Sequence, residues 1–293
     1  MTLVILAAGM GSRFGGLKQV EKVDDEGNFI IDYSVHDAVK AGFDRIVFII
    51  KEENYELFKS TIGSRASKIV DVKYVFQNNE NIKSFIPIDN NRTKPFGTAH
   101  ALYCAKKYID GPFGIISADD FYGPGSFVKL YSSLKDGIVS AIGYKLKNTM
   151  SDVGSVKRGV CFSKNGYVVE NNDFVIEKVD NKIIGKEIDG NRVIEFDENQ
   201  DVAMLMYGLN KEVIDYMDKD IQIFLEKNKE NLDNCEYLLP NVLTSMINKN
   251  LIEIKLIQTD EKWMGITYKE DLQALKDYIK SLKEKGIYKD KLY

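Results

Sequence analysis

The opening of the chain constrains it most. Leu3-Val4-Ile5-Leu6-Ala7 is a short apolar run that passes without a break into Ala8-Gly9-Met10-Gly11-Ser12-Arg13-Phe14-Gly15-Gly16-Leu17-Lys18. A run of this length reads as a strand buried on both faces, and glycines directly behind it let the backbone turn with its N–H groups exposed. Such N–H groups, beside the fork of the Arg13 guanidinium, make a cradle for an anion. The spacing is neither the Walker pattern nor the dinucleotide-binding pattern. A glycine turn of purely geometric purpose is the plain alternative, and Arg13 and Lys18 argue against it.

The rest of the first half repeats the strand-then-helix rhythm. A helical pattern from Asp32 to Ala41 is closed by Gly42, and Arg45–Ile50, Val72–Gln77 and Phe113–Ser117 read as further strands. Between the last two, Thr98 is expected to cap a helix carrying Leu102, Ala105 and Tyr108. Continuous apolar strands joined by helices predict an α/β fold with a mostly parallel or mixed central sheet flanked by helices, its binding loops at the carboxyl ends of the strands. From about Gly154 to Asn199 the runs shorten, as in Gly166-Tyr167-Val168-Val169 and Arg192–Phe196, and predict a small β-rich insertion of hairpins. Val202–Leu209 reads as a returning core strand. Lys211–Leu225, Cys235–Asn248 and Lys269–Lys285 read as helices, the second interrupted near its start by Pro240 and the third stopped by Gly286. Residues 1–293 are thus expected to form one integrated catalytic fold, with 1–150 as its main portion and 151–293 as an accessory substrate-binding portion with the C-terminal helices.

Composition narrows the chemistry. A formal charge of −4 supplies no broad attraction for nucleic acid or an anionic membrane. Three scattered cysteines indicate neither a disulfide framework nor a thiolate metal site, and with no leader or spanning segment read in the chain a reducing cytoplasm is expected. Two histidines, His36 and His100, exclude a polyhistidine zinc site. Any metal is expected on carboxylate and phosphate oxygens, which suits magnesium.

The loop Ala7-Ala8-Gly9-Met10-Gly11-Ser12-Arg13 with downstream Lys18 resembles the signature of the sugar-1-phosphate nucleotidyltransferases. The resemblance implies a Rossmann-like nucleotidyltransferase fold. It implies further that Ala8, Gly9, Gly11, Ser12 and Arg13 bind a nucleoside triphosphate and that Lys18 contacts the acceptor phosphate. The gap from Arg13 to Lys18 is shorter than in the common glucose-1-phosphate enzymes and is similar to that of the cytidylyl- and molybdopterin guanylyltransferases. Gln77, with Lys94-Pro95-Phe96-Gly97-Thr98-Ala99-His100-Ala101, resembles the family's base-reading segments, so Gln77, Gly97 and Thr98 are expected at the nucleoside and UTP, dTTP or CTP is favoured. Read alone, Gln77 is equally a strand end.

Ser117-Ala118-Asp119-Asp120 sets two carboxylates just past an apolar strand. By resemblance Asp119 is the magnesium ligand, with Asp120 supporting the loop or binding through water; read alone, the pair is a solvated turn. Many family members carry a second metal-binding aspartate in a Trp-x-Asp-x-Gly motif. Here Trp263-Met264-Gly265 has glycine at that place, so a second protein ligand comes from elsewhere, water fills the position, or activity is altered. Lys178, in Glu177-Lys178, resembles a lysine on the sugar phosphate. Arg158 is a second candidate clamp and Glu236 a candidate contact for acceptor hydroxyls, each with an ordinary surface role as its alternative.

Arg13, Lys18 and Asp119 are therefore the candidate catalytic residues, Lys18, Arg158, Lys178 and Glu236 the acceptor-binding set, and Asp119 the metal ligand. The expected reaction is attack of a sugar 1-phosphate on the α-phosphorus of a nucleoside triphosphate, with an NDP-sugar and pyrophosphate as products. Transfer to phosphocholine or another non-sugar phosphate, and a silent nucleotide-binding protein, are the alternatives. Neither nucleic acid nor membrane is expected as a partner, and no oligomeric partner is predicted.

Overall fold

A computed structural model of the chain describes residues 1–9, 21–86, 92, 94–151, 154–180, 182–188, 190–266 and 269–293. The first strand, β1 (Thr2–Leu6), pairs in parallel with β2 (Arg45–Ile50) on one side and with β4 (Phe113–Ser117) on the other, and β3 (Asp71–Phe76) adds in parallel beyond β2. Alternate side chains of these strands enter two different cores. Val4, Val47 and Ile49 face one, while Leu3, Ile5, Ile46 and Phe48 face the other. This is the burial that an uninterrupted apolar strand requires.

Helix α1 (Ile30–Ala41) begins where Asp32 accepts the Phe29 N–H at 2.8 Å and ends at Gly42, whose φ of 120° lets its N–H reach back to the last carbonyls. On the face opposite to α1 lies α2 (Thr98–Cys104), and past β4 come β5 (Asp120–Phe121) and α3 (Pro124–Lys135).

The sheet is mixed. Its strands run in the order β10, β9, β8, β12, β6, β11, β4, β1, β2, β3, with β7 bridging β11 and β8. Here β6 is Ser140–Lys145, β7 Val156–Lys164, β8 Tyr167–Val179, β9 Lys182–Glu187, β10 Val193–Phe196, β11 Asp201–Leu209 and β12 Lys255–Thr259. The returning strand β11 is antiparallel to both β4 and β6, and the β-rich insertion continues the main sheet through β7 and β8. Sequence periodicity missed β6, β12 and the length of β8, because their apolar residues are interleaved with glycine and polar ones that only the neighbouring strand explains.

Helices α4 (Lys211–Lys227) and α5 (Leu239–Asn248) cover the Val4 face of the sheet. Helix α5 starts later than expected: Pro240 occupies its first turn, where a missing N–H costs nothing, and the residues from Cys235 to Leu238 are not helical. A third core is built by the C-terminal helix α6 (Lys269–Glu284) and tail. Leu275, Ile279, Leu282 and Tyr288 pack with Val23, Ile30, Phe121 and Ile266, so the chain's end holds the segments that flank the strand-end loops.

Candidate functional site

The carboxyl ends of β1, β3 and β4 bring three of the separated sequence signatures to one edge of the sheet. Leu6 is in register with Ile49 and with Ser117, and the next residues stay tied, Ala7 N–H to Ile49 at 2.7 Å and Ala118 N–H to Leu6 at 3.0 Å. Ala8 and Gly9 therefore lie beside the turn that carries Asp119. Gln77 leaves β3 with its N–H on the Ile50 carbonyl at 2.9 Å. Two strand spacings, about 10 Å, separate β3 from β1. Gly11, Ser12, Arg13 and Lys18 fall outside the described residues.

Asp119 is positioned locally: the Ser117 hydroxyl donates to its Oδ1. Asp120 turns away into the short ladder between β5 and β13 (Met264–Gly265), where it stands opposite Gly265, and Tyr122 donates to its Oδ2 at 3.3 Å. The Gly265 position is already full. A Cβ there would lie 2.4 Å from the Trp263 ring and 2.9 Å from Asp120 Oδ1, so the space a carboxylate side chain would need at this point is taken by the indole and by Asp120. Among the described residues no group of three His, Cys, Asp or Glu side chains is arranged to hold a metal ion. A single carboxylate with nucleotide phosphate oxygens and water nevertheless meets what magnesium requires.

The Gly97 segment is one side of a clamp between distant segments. Gly97 sits at φ 96° and ψ −179°, a conformation open essentially to glycine alone, and a Cβ on it would come within 2.6 Å of the Tyr237 carbonyl. Tyr237 donates its N–H to Phe96 at 2.6 Å and accepts from Ala99 at 3.0 Å. Thr98 is the first residue of α2 rather than its cap; its hydroxyl accepts the Leu239 N–H at 2.9 Å and so fastens α5 to α2. The extended residues before α5, read as helix from sequence, are what Gly97 packs against. Arg92 completes the clamp. It stacks 3.7 Å from the centre of the Phe96 ring and donates to the carbonyls of Lys94, Pro95, Leu232 and Cys235. No sequence motif pointed to it.

The Gln77 side chain turns back into this clamp. Its Nε2 lies 3.0 Å from the Gly97 carbonyl and 3.4 Å from His100 Nδ1, and His100 Nε2 lies 3.1 Å from Asn81 Oδ1. His100 is wholly buried, and burial, with Arg92 nearby, pulls its pKa down to about 4. The ring is therefore neutral at ordinary pH.

The acceptor candidates are less united. Arg158 is buried against Trp263, 4.6 Å from its ring centre, and donates to the carbonyls of Thr149 and Lys157; burial lowers its pKa to about 10 against the pull of Asp120 and Asp271. It thus backs the Asp120 and Gly265 ladder instead of projecting into solvent. Lys178 lines a separate surface pocket of about 430 Å³ with Lys147, Lys182, Glu195 and Phe196. Glu236 pairs with Lys94 at 3.1 Å and so belongs to the Gly97 clamp.

Sequence reasoning also missed a polar patch on β7, β8 and β11. Gly159 lies opposite Asp173, and a Cβ on it would meet Asn171 Oδ1 at 2.9 Å. Asn171 donates to the Tyr207 hydroxyl at 3.1 Å, while its Oδ1 is buried without a partner. Next to it β11 bulges between Ala203 and Tyr207, with Leu205 at φ 54°. A leucine held there is strained, as backbone near binding sites often is.

Comparison with known proteins gives a consistent frame. The sequence model of the family described as nucleotidyl transferase matches residues 2–282. No curated protein matches closely enough to count as a relative by sequence. Among solved structures, the inositol-1-phosphate CTP transferase from T. maritima is similar at 15% identity and a TM-score of 0.61, with 95% of this chain and 96% of that one covered. A putative glucose-1-phosphate thymidylyltransferase from Bacillus anthracis has 14% identity and a TM-score of 0.65, with 95% of each chain covered. A UDP-glucose pyrophosphorylase complexed with UDP-glucose has 15% identity and a TM-score of 0.59, with 96% of this chain and 98% of that one covered.

Proposed function

Because the chain belongs to the nucleotidyl transferase family, we propose that it moves a nucleotidyl group from a pyrimidine nucleoside triphosphate to a sugar 1-phosphate in the cytoplasm. The observation that supports this reading most is the convergence of Ala8 and Gly9, of Gln77 with Gly97, and of Asp119 at adjacent carboxyl ends of one sheet. Open α/β sheets bind ligands at that edge.

In this reading an acceptor phosphate oxygen forms a bond to the α-phosphorus, the bond from that phosphorus to the bridging oxygen breaks, and pyrophosphate leaves. A phosphate is already ionised near neutral pH, so no general base is needed. Alignment and charge neutralisation carry the catalysis. Magnesium, held by Asp119 together with phosphate oxygens, supplies charge neutralisation when bound. Arg13 and Lys18 take the nucleotide and acceptor phosphates, Ser117 holds the Asp119 carboxylate, and the Gly97 clamp receives the nucleoside.

The compact spacing from Arg13 to Lys18 and the crowded Gly265 favour a second reading, in which the acceptor is phosphocholine or another non-sugar phosphate. The test is pyrophosphate release from UTP, dTTP, CTP, ATP and GTP against a panel of sugar 1-phosphates and phosphocholine, with and without magnesium. Release with a pyrimidine nucleotide and a sugar 1-phosphate is the expected result. Release with phosphocholine alone would move the acceptor to the second reading, and tight nucleotide binding with no release would make the chain a silent binder.

A further inference from the structure

The hydrogen-bond chain behind Gln77 decides which atom that side chain can offer to a ligand. An amide has two N–H groups and one carbonyl oxygen, and the Gly97 carbonyl 3.0 Å away can face only the nitrogen end. The orientation of Gln77 therefore follows from the backbone of the clamp. The second amide hydrogen points to His100 Nδ1 at 3.4 Å. A neutral imidazole carries one N–H, and Asn81 Oδ1, 3.1 Å from Nε2, accepts it, which leaves Nδ1 as an acceptor. Asn81 is turned that way because its own Nδ2 donates to Cys104 Sγ at 3.3 Å. Donation runs one way, from Gln77 through His100 to Asn81 and on to Cys104, whose Sγ also lies 3.7 Å from His100 Nε2.

We propose that His100 is a positioning residue for nucleobase recognition: with the Gly97 carbonyl it engages both amide hydrogens of Gln77, so that Gln77 meets the base only through Oε1. The inference rests on the nucleotide reading of this site and deepens it. A base recognised here presents an N–H at the contact, such as N3–H of uracil or thymine or the exocyclic amine of cytosine. A base edge with only acceptors at that point is rejected, since the amide cannot rotate without setting its oxygen against the Gly97 carbonyl and the Nδ1 lone pair. His100 is buried away from solvent and acts only through Gln77.

The test uses the full chain and calorimetric dissociation constants for UTP, dTTP, CTP and ATP, with thermal unfolding as the control for folding. In His100→Phe, which keeps an aromatic ring against Phe96 but loses both nitrogens, the constant for the preferred pyrimidine nucleotide is expected to rise about five- to tenfold and the preference among bases to narrow. His100→Asn keeps an acceptor near the place of Nδ1 and is expected to restore most of the binding. Unchanged affinity and preference in His100→Phe, or equal losses in both variants, would overturn the proposal. Should His100→Phe fail to fold, Asn81→Leu, which releases the tautomer, is expected to weaken binding about threefold, and no change there overturns the proposal equally. Gln77→Ala separates this inference from the reading beneath it. If wild type binds none of the four nucleotides, or Gln77→Ala changes nothing, base contact at Gln77 falls; if Gln77→Ala weakens binding and His100→Phe does not, only the positioning role falls.

Discussion

Behind Gln77 the candidate site is held by partly buried, neutral hydrogen bonds, whereas the β7 to β10 side is held by ion pairs open to water. Gln77, His100 and Asn81 form the first kind of contact. Lys182 with Glu195, Lys157 with Asp173 and Arg192 with Glu170 form the second, with the side chains involved between 37% and 61% exposed. The difference in medium matters. A neutral chain around the buried His100 ring has one satisfied arrangement, because an inverted amide would set its oxygen against the Gly97 carbonyl. Exposed ion pairs contribute about 0–1 kcal/mol each and are screened by salt, so they bias a geometry without enforcing it.

Four outcomes would break or sharpen this contrast. The largest is expected from Asp119→Asn, which should lower pyrophosphate release by about a hundredfold or more while thermal unfolding stays near wild type. Near-normal magnesium-dependent turnover would remove Asp119 from the site. Next comes Gly97→Ala, expected to lose about 2–4 kcal/mol in urea unfolding, because the new Cβ meets the Tyr237 backbone and the φ of 96° is hostile to any side chain. A loss under about 1 kcal/mol would show that the clamp is pliable after all.

A smaller effect lies in the pH profile. The folded pKa of His100 is about 4 against an ordinary 6.5, so the unfolded chain binds the proton more readily between those values. Stability from this group is complete above pH 6.5 and declines as pH falls toward 4. Denaturation curves across that window should slope in wild type and flatten in His100→Phe. Smallest is the matching change on the β7 to β10 side. Arg192 and Asn172 hold Glu187 down to about 2, so its stabilising share is present above about 4.5 and is lost as pH falls toward 2. Arg192→Ala should flatten that acid limb through a modest loss at neutral pH that vanishes toward pH 2, since the pair is open to water, and a large neutral loss would mean that this side is as rigid as the other.

Much of the fold was legible in the chain. Arg45–Ile50 and Phe113–Ser117 were read to the residue, since an uninterrupted apolar run between turn signals has few other uses. Gln77 and Asp119 were placed at strand ends for the same reason. Thr98, Arg158 and Lys178 show where such reading stops. Each has the composition of a ligand contact, yet Thr98 accepts from Leu239, Arg158 is spent on Trp263 and two carbonyls, and Lys178 lies in a pocket lined by β9 and β10 residues. A side chain's partners come from segments far along the chain, and no local spacing encodes them.

By itself, then, the sequence determined the alternation of buried strands and helices and the carboxylates past β4, because burial and turn geometry are local demands on residue type. Only the tertiary structure decided which end of the Gln77 amide the clamp engages, why Gly97 cannot carry a side chain and why Gly265 has no room for a carboxylate. Each of these depends on a contact with a residue brought in by the fold, Tyr237 for Gly97, His100 for Gln77 and Asp120 for Gly265.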